Sequence, residues 1–509
     1  MKRGLALMTS LAVLSPAAAQ TTSGEAAAAA LFDRLADSPP ALRLFLKAMP
    51  KGGDLHNHLG GTPYAEDYLR WAAQAGLCVD DSGARIVAPP CPQAQTVKRM
   101  SEQTPFAFAR LVDAMSTRGV QQGVGANDAS GHTQFFGSFD RLGPTSPSVE
   151  AGALAVARQV AAGDRVGYLE LIHNPQALIA ATLGAADMPL DASGLAAFYS
   201  RTIKDAKPVI DRAIAELDAN EAAAGKALAC GGAKPDPGCG VAIRYLAWGW
   251  RDLPPAQAFT SLILAFALAD RDPRYVGINI VQPEDWVIAL RDYDLHMAML
   301  RFLAERHPRV HRTLHAGELA FGLVPPAALR HHIAKALEAG AERIGHGTAI
   351  AYEEDAVATL ARMARDDIAV EINLTSNAVI LGVKGDDHPL RLYRRAGVPT
   401  LLSTDDQGIL RTDMTQEYQR AAREQGMGYA DLKQMARTSL EQAFIDGTSI
   451  WADRHVGARV SPCTAGWTDD RCRSLARSSA KAALQVQLEE DFQIFEDVTV
   501  LNLSKSIGP

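Results

Sequence analysis

Compact apolar runs recur along most of the chain, separated by longer stretches with helical periodicity. Eight runs stand out, at residues 53–59, 166–173, 241–248, 275–281, 312–316, 343–347, 368–374 and 398–404. Most are apolar at successive positions rather than alternating, as in strands covered on both faces. Stretches such as 149–161, 327–339 and 354–365 carry the helical repeat between them. Strands alternating with helices predict a parallel sheet with crossover helices, and eight such units in series favour a closed (β/α)8 TIM-type barrel over an open doubly wound sheet.

Ahead of the first run, residues 20–50 read as a helical arm: an Ala-rich stretch, a break at Asp37-Ser38-Pro39-Pro40, then a second helix. Residues 51–509 are the barrel, with insertions near 60–130 and 219–240 and a helical extension after Thr412. The connection 60–165 is too long for one crossover helix. An apolar run from 259 to 269 reads as a buried helix.

Residues 1–19 have a different character. Lys2 and Arg3 precede a short apolar core from Leu5 to Leu14, and Ala17-Ala18-Ala19 supply small residues for cleavage before Gln20. That is the pattern of an export signal, and the apolar run is too short to span a bilayer. The protein is therefore expected to be exported, to a periplasm or the cell exterior, with no membrane attachment after cleavage. The net charge of −7 falls to −9 when Lys2 and Arg3 are lost, which gives no basic patch for a nucleic-acid partner. The six cysteines form close pairs in sequence: Cys78 with Cys91, Cys230 with Cys239, Cys463 with Cys472. Six cysteines allow 15 connectivities, and nearest-neighbour pairing is the simplest. Such staples agree with an oxidising compartment.

The chemistry gathers at the carboxyl ends of the strand candidates, where active sites of barrels lie. His56-Asn57-His58 ends the first, and residues i and i+2 of a strand share a face. His315-Ala316-Gly317-Glu318 closes the fifth, Gly345-His346-Gly347 the sixth and Ser403-Thr404-Asp405-Asp406 the eighth. Three imidazoles and a carboxylate make a mostly nitrogen site suited to Zn2+, with room for a water whose pKa the metal lowers. A basic side chain can orient that water. A carboxyl group that keeps its proton in a desolvated pocket can serve as acid. No Walker A loop, G-x-G-x-x-G or G-x-S-x-G is present. His331-His332 reads as a solvated helix face, and the sequon at Asn373 as buried in a strand.

The run Pro50-Lys51-Gly52-Gly53-Asp54-Leu55-His56-Asn57-His58-Leu59 resembles the opening motif of the adenosine deaminase family, and the H-A-G-E, G-H-G and S-T-D-D clusters follow in that family's order. The likeness covers about residues 45–425. The leader, first insertion and cysteine pairs are closest in layout to the secreted branch, the adenosine deaminase-related growth factors. The resemblance implies one Zn2+ per chain held by His56, His58, His315 and Asp405. It makes Glu318 the proton donor to purine N1, His346 the residue that orients and helps deprotonate the water, and Asp406 the partner of N7. Asp405, as ligand, is counted with the catalytic residues. It implies hydrolytic deamination of adenosine or a related 6-aminopurine nucleoside, and a homodimer through the arm. Two positions depart from the pattern. Gly60 stands where many members carry an Asp that contacts the ribose 5′-hydroxyl, and Gln282 stands at or beside a glycine that contacts N3. Both are candidate substrate-binding positions. Two other readings compete: another mononuclear amidohydrolase with a different substrate, or a secreted binding or growth-factor-like protein on a deaminase scaffold. The 275–282 run lacks the lysine that binuclear relatives use.

Overall fold

The computed structural model describes residues 22–122, 130–144, 147–454 and 456–507. The export-signal segment, 1–19, lies outside them. Eight parallel strands follow one another in chain order around one sheet: β1 Gly52–His58, β2 Val166–Ile172, β3 Ala242–Trp250, β4 Tyr275–Val281, β5 His311–Ala316, β6 Arg343–His346, β7 Ala369–Ile372 and β8 Thr400–Leu402. The sheet closes where Asp405, just past β8, bridges to β1: its N–H donates to the His56 carbonyl (2.8 Å) and its carbonyl accepts from His58 N–H (3.0 Å). This is the (β/α)8 barrel that the apolar runs predict.

Every strand end lies within two residues of its predicted run, β7 and β8 being the shorter ones. Leu374, placed at the end of the seventh run, instead begins the helix Leu374–Ile380, with Asn373 as its buried N-cap. The helix Pro255–Arg271 contains the predicted buried stretch; it packs on β3 and β4 and has eleven buried residues. The first connection holds the helix Ala65–Gln74, a two-stranded hairpin (Cys78–Val79 with Ile86–Val87), several short helices, the helix Gly131–Phe139 and the crossover helix Pro147–Gly163. Residues 219–227, read as part of a second insertion, are the end of a long helix, Ala206–Ala227; the loop proper follows.

The cysteines pair 78–91, 230–239 and 463–472, with no free thiol among the described residues. The arm forms two helices, Ser23–Leu35 and Pro39–Ala48. Their apolar face turns inward: Phe45 sits edge-on to Tyr429 and Phe495 of the C-terminal helices, at 5.8 and 5.1 Å. Among the described residues no helix is long and apolar enough to cross a membrane.

The barrel interior is not wholly apolar. Arg343 of β6 is fully buried and bonds Glu170 of β2 and Glu371 of β7, each at 2.6 Å. Its guanidinium also lies over the Phe444 ring at 3.8 Å. Charges so deep persist only when paired and hydrogen-bonded, and this network leads directly to the site above it.

Candidate active site

The site is built where β1 meets β8. A register shift between Asp54 and Asn57 breaks the β1–β2 ladder just before the histidines, and such irregularities re-aim side chains. The Asp54 carboxylate ties the seam by accepting from Thr404 Oγ1 (2.5 Å) and Asn57 Nδ2 (3.2 Å). The His56 ring then passes over Gly345 of β6, where any Cβ would lie 2.7 Å from its Cε1. Gly61 is needed for a similar reason, since a Cβ there would occupy the place of the Asp406 carboxylate.

The Nε2 atoms of three histidines converge, 3.0 Å apart for His56 and His315 and 3.3 Å for His58 and His315. Asp405 Oδ1 lies 3.6 Å from His56 Nε2 and 3.3 Å from His58 Nε2. The outer nitrogens set the tautomers. His56 Nδ1 donates to Glu371 Oε2 (2.6 Å). His315 Nδ1 donates to Asn279 Oδ1 (2.9 Å), an oxygen that also accepts from His315 N and Ile280 N. With the proton on Nδ1, the His56 and His315 rings can each turn an Nε2 lone pair toward one point, although burial, which lowers the His56 pKa, is outweighed by the Glu371 carboxylate, which raises it. A proton could relieve one pair of nitrogens, but three nitrogens and a carboxylate around one point require a cation. Donors around a tetrahedral Zn2+ at ~2.1 Å are about 3.4 Å apart, close to what is found. The four side chains therefore fit a zinc ion. Burial lowers His58 to about 4 and His315 further, so both rings are neutral and able to serve as ligands. Burial alone would raise Asp405, but the surrounding imidazoles hold it near 2.

The two other carboxyl groups behave oppositely. Burial, reinforced by the Asp405 charge, raises both Glu318 and Asp406 well above the usual carboxylate range. Burial thus favours the protonated form of both, the form that can donate a hydrogen bond. Asp406 Oδ1 is buried without a hydrogen-bond partner among the described residues. Glu318 is aimed by its own backbone: Glu284 accepts from the N–H of Gly317 (3.0 Å) and of Glu318 (2.8 Å).

A relay of polar side chains sets the state of His346. Leu390 N–H donates to His388 Nδ1 (3.2 Å). That leaves the single proton of neutral His388 on Nε2, which donates to Asn377 Oδ1 (3.0 Å). Asn377 Nδ2 in turn donates to His346 Nδ1 (2.9 Å). His346, held down to about 3 by burial, is therefore neutral with its proton on Nε2. That atom is 3.7 Å from Glu318 Oε1 and 3.9 Å from Asp405 Oδ2.

Gly60 and Gln282 line the same cavity, of about 390 Å3, as His58, Glu318, Asp405 and Asp406. All the residues singled out by sequence for metal, acid and substrate contacts thus meet in one place. Glu371, Asn279, Glu284, Asn377 and His388 escaped the reading. For Glu371 and Asn279 a signal existed: a charged or amide side chain in the middle of an apolar strand is costly unless it has work to do. His332 is a correction. It is not on a solvated face but buried, stacked on Tyr293 (3.7 Å between ring centres) and bonded to Glu284 at 2.5 Å, because the helix begins only at His332. His331 does face solvent, near Glu354.

A family model described as adenosine deaminase matches residues 145–450, more than half of the chain. The chain belongs to the adenosine deaminase family. The aminodeoxyfutalosine deaminase of Streptomyces coelicolor is 32% identical over 159 residues, 31% of this chain and 38% of that protein. The adenine deaminase of Sinorhizobium fredii is 31% identical over 209 residues, 41% of this chain and 59% of that one. An adenosine deaminase of Shewanella loihica is 36% identical over 134 residues, 26% and 38% of the respective chains. The chain thus spans between about two fifths and three fifths of these relatives' length. Among solved structures, an amidohydrolase from Burkholderia ambifaria with bound Zn shares the fold at TM-score 0.57 and 20% identity, over 91% of this chain and 95% of that one. An Arabidopsis N6-mAMP deaminase does so at TM-score 0.51 and 20% identity, over 79% and 96%.

Proposed function

We propose that the protein is an exported Zn2+-dependent deaminase that hydrolyses the 6-amino group of adenosine or a closely related purine nucleoside, releasing ammonia. The observation that carries this reading is the convergence of three imidazole nitrogens and the Asp405 carboxylate beside two buried carboxyl groups, Glu318 and Asp406, in one place. The names of the relatives support a 6-aminopurine substrate, and the cavity's extension beyond the catalytic cluster favours a nucleoside over the free base.

Zinc held by His56, His58, His315 and Asp405 would supply Lewis-acid polarisation and bring the pKa of water to about 7. The remaining work falls to side chains. Asp406 donates to purine N7 and fixes the ring's orientation. Glu318 donates its proton to N1, so that C6 becomes electrophilic as aromaticity is lost. The His346 Nε2–H orients the attacking oxygen, which limits its part as a base while it remains neutral. As the C6–N bond breaks, one proton of the added water leaves with the amino group as ammonia. The other restores Glu318, and the product carries a 6-oxo group with a proton on N1. The three disulfides fit an oxidising compartment and support export to a periplasm or the exterior.

The test is turnover of adenosine by zinc-loaded protein, followed by ultraviolet absorbance and ammonia release. The expected result is hydrolysis that is lost on chelation and restored by zinc. Full activity in metal-free protein would remove the mechanism.

A further inference from the structure

Resting on that deaminase reading, we infer that the site takes an uncharged nucleoside with an apolar substituent at its 5′ end, and rejects 5′-phosphates. With the purine held between Glu318 and Asp406, the sugar must leave the catalytic cluster along the rest of the same cavity. That part is walled by rings. The helix Gly131–Phe139 supplies Phe135, Phe136 and Phe139, and Trp286 and Trp248 stand in the same lining. The wall is braced across its mouth: His132 meets Asp285 (3.1 Å), and the Phe136 and Trp286 rings lie 6.2 Å apart.

Its charge points the same way. Among the described residues no lysine or arginine lines the cavity, whereas Asp140 and Glu150 do. A 5′-phosphate leaving the catalytic cluster would meet these two carboxylates and no cationic side chain among the described residues, a juxtaposition that disfavours binding. Two of the wall's polar side chains are already engaged. Asn174 is engaged on both sides with the Trp248 backbone, and Gln176 with Glu150. Gly60 has no side chain to contribute: its carbonyl is held by the Tyr68 hydroxyl at 2.6 Å, and a Cβ there would meet nothing within 4 Å. This is space for substrate. Gln282 and His173 supply the polar contacts to the ribose, and the rings cover what extends beyond it.

The experiment compares kcat/KM of the zinc-loaded enzyme for adenosine, 5′-deoxy-5′-methylthioadenosine and AMP. The thioether compound should exceed adenosine by about 10-fold, the scale of one buried methyl-sized group. AMP should fall about 1,000-fold below adenosine. Gly60→Asp, for which the backbone has room, places an acceptor in the apolar wall and should lower the thioether-to-adenosine ratio by about 10-fold. A thioether kcat/KM at or below that of adenosine, or AMP within tenfold of adenosine, overturns the inference while leaving the deaminase reading intact. Silence on all three compounds removes that reading, and this inference with it.

Discussion

Glu371→Gln tests whether the buried network below the site holds the metal ligands in place. The carboxylate is fully buried and serves three donors: Oε2 accepts from His56 Nδ1, and Oε1 accepts from Thr313 Oγ1 and Arg343 Nε, all at 2.6 Å. Burial would raise its pKa, but the Arg343 charge and the His56 bond bring it down to about 2, so it is ionised at any working pH. Glutamine has the same shape but one acceptor and one donor end. If its NH2 turns toward Arg343, two buried donors lose their acceptor. If it turns toward His56, that ring must move its proton to Nε2, the atom aimed at His315 and the metal. Both orientations cost.

Removing one partner of a buried charge costs about 3–5 kcal/mol. Glu170 and the Gln442 carbonyl still hold Arg343, at 2.6 and 2.7 Å, so we take the lower value, ~3 kcal/mol. At about 2 °C per kcal/mol for a large chain, the metal-free Tm should fall by roughly 6 °C. Loss of an outer partner weakens metal binding by about 10–100-fold. Calorimetry of metal-free protein and competition with a chromophoric zinc chelator read the two effects separately. Zinc affinity within threefold of wild type, together with an unchanged Tm, would refute the reasoning.

Glu318→Gln should retain one zinc per chain while kcat falls by about 10²–10⁴-fold, since an acid is lost but no ligand; a near-normal kcat would reassign the proton donor. His388→Phe removes the donor to Asn377 Oδ1, so kcat should drop about 10-fold with zinc content intact, and ¹⁵N NMR should show His346 losing its Nε2–H tautomer; an unchanged tautomer disposes of the relay. Lys51 is fully buried, and desolvation lowers its pKa to about 7 despite the nearby Asp164 charge. The unfolded chain therefore binds more protons than the folded one between about pH 7 and 10.5, and stability should rise with pH across that window. Wild type should gain up to ~2 kcal/mol over Lys51→Met between pH 7 and 9 in urea titrations; parallel pH profiles would contradict the assignment.

How much of this was legible in sequence depended on whether a residue's partners lie near it in the chain. The barrel was legible because each strand is a dense apolar run, and a parallel sheet covered on both faces writes that pattern directly. The candidate metal cluster was legible because His56 and His58 share a face by strand periodicity and the other donors sit at strand ends. Their supports were not, because their meaning is tertiary. Glu371 holds His56 across 315 positions, and Asn279 holds His315 where β4 and β5 stop pairing after Ile278. His332 looked like half of an exposed pair because its helix start was misplaced by several residues, which turned a buried ring outward. The aromatic helix Gly131–Phe139 lies in an insertion with no periodic relation to the barrel, so its place over the cavity could only be seen in three dimensions.

Backbone strain marks the same strand ends. Gln282, His346 and Asp405 follow or end β4, β6 and β8 with φ of +87°, +65° and +60°. Such geometry costs a non-glycine residue about 1–2 kcal/mol and persists where surrounding contacts impose it. Asp405 is pinned by its two backbone bonds to β1 and His346 by Asn377, and both side chains belong to the catalytic cluster. Gln282 has the same geometry without such a pin among the described residues, and glycine would adopt it freely. The residue lines the cavity, where its side chain can meet the substrate. Gln282→Gly isolates that contact. Relief of ~1–2 kcal/mol of strain is offset by about 0.4–1 kcal/mol of added freedom in the unfolded chain, so stability should hold or rise slightly. KM for the nucleoside should rise about 10-fold as one polar contact is lost. A variant that is less stable yet binds substrate normally would show that the side chain serves packing, and the ribose would then need another partner.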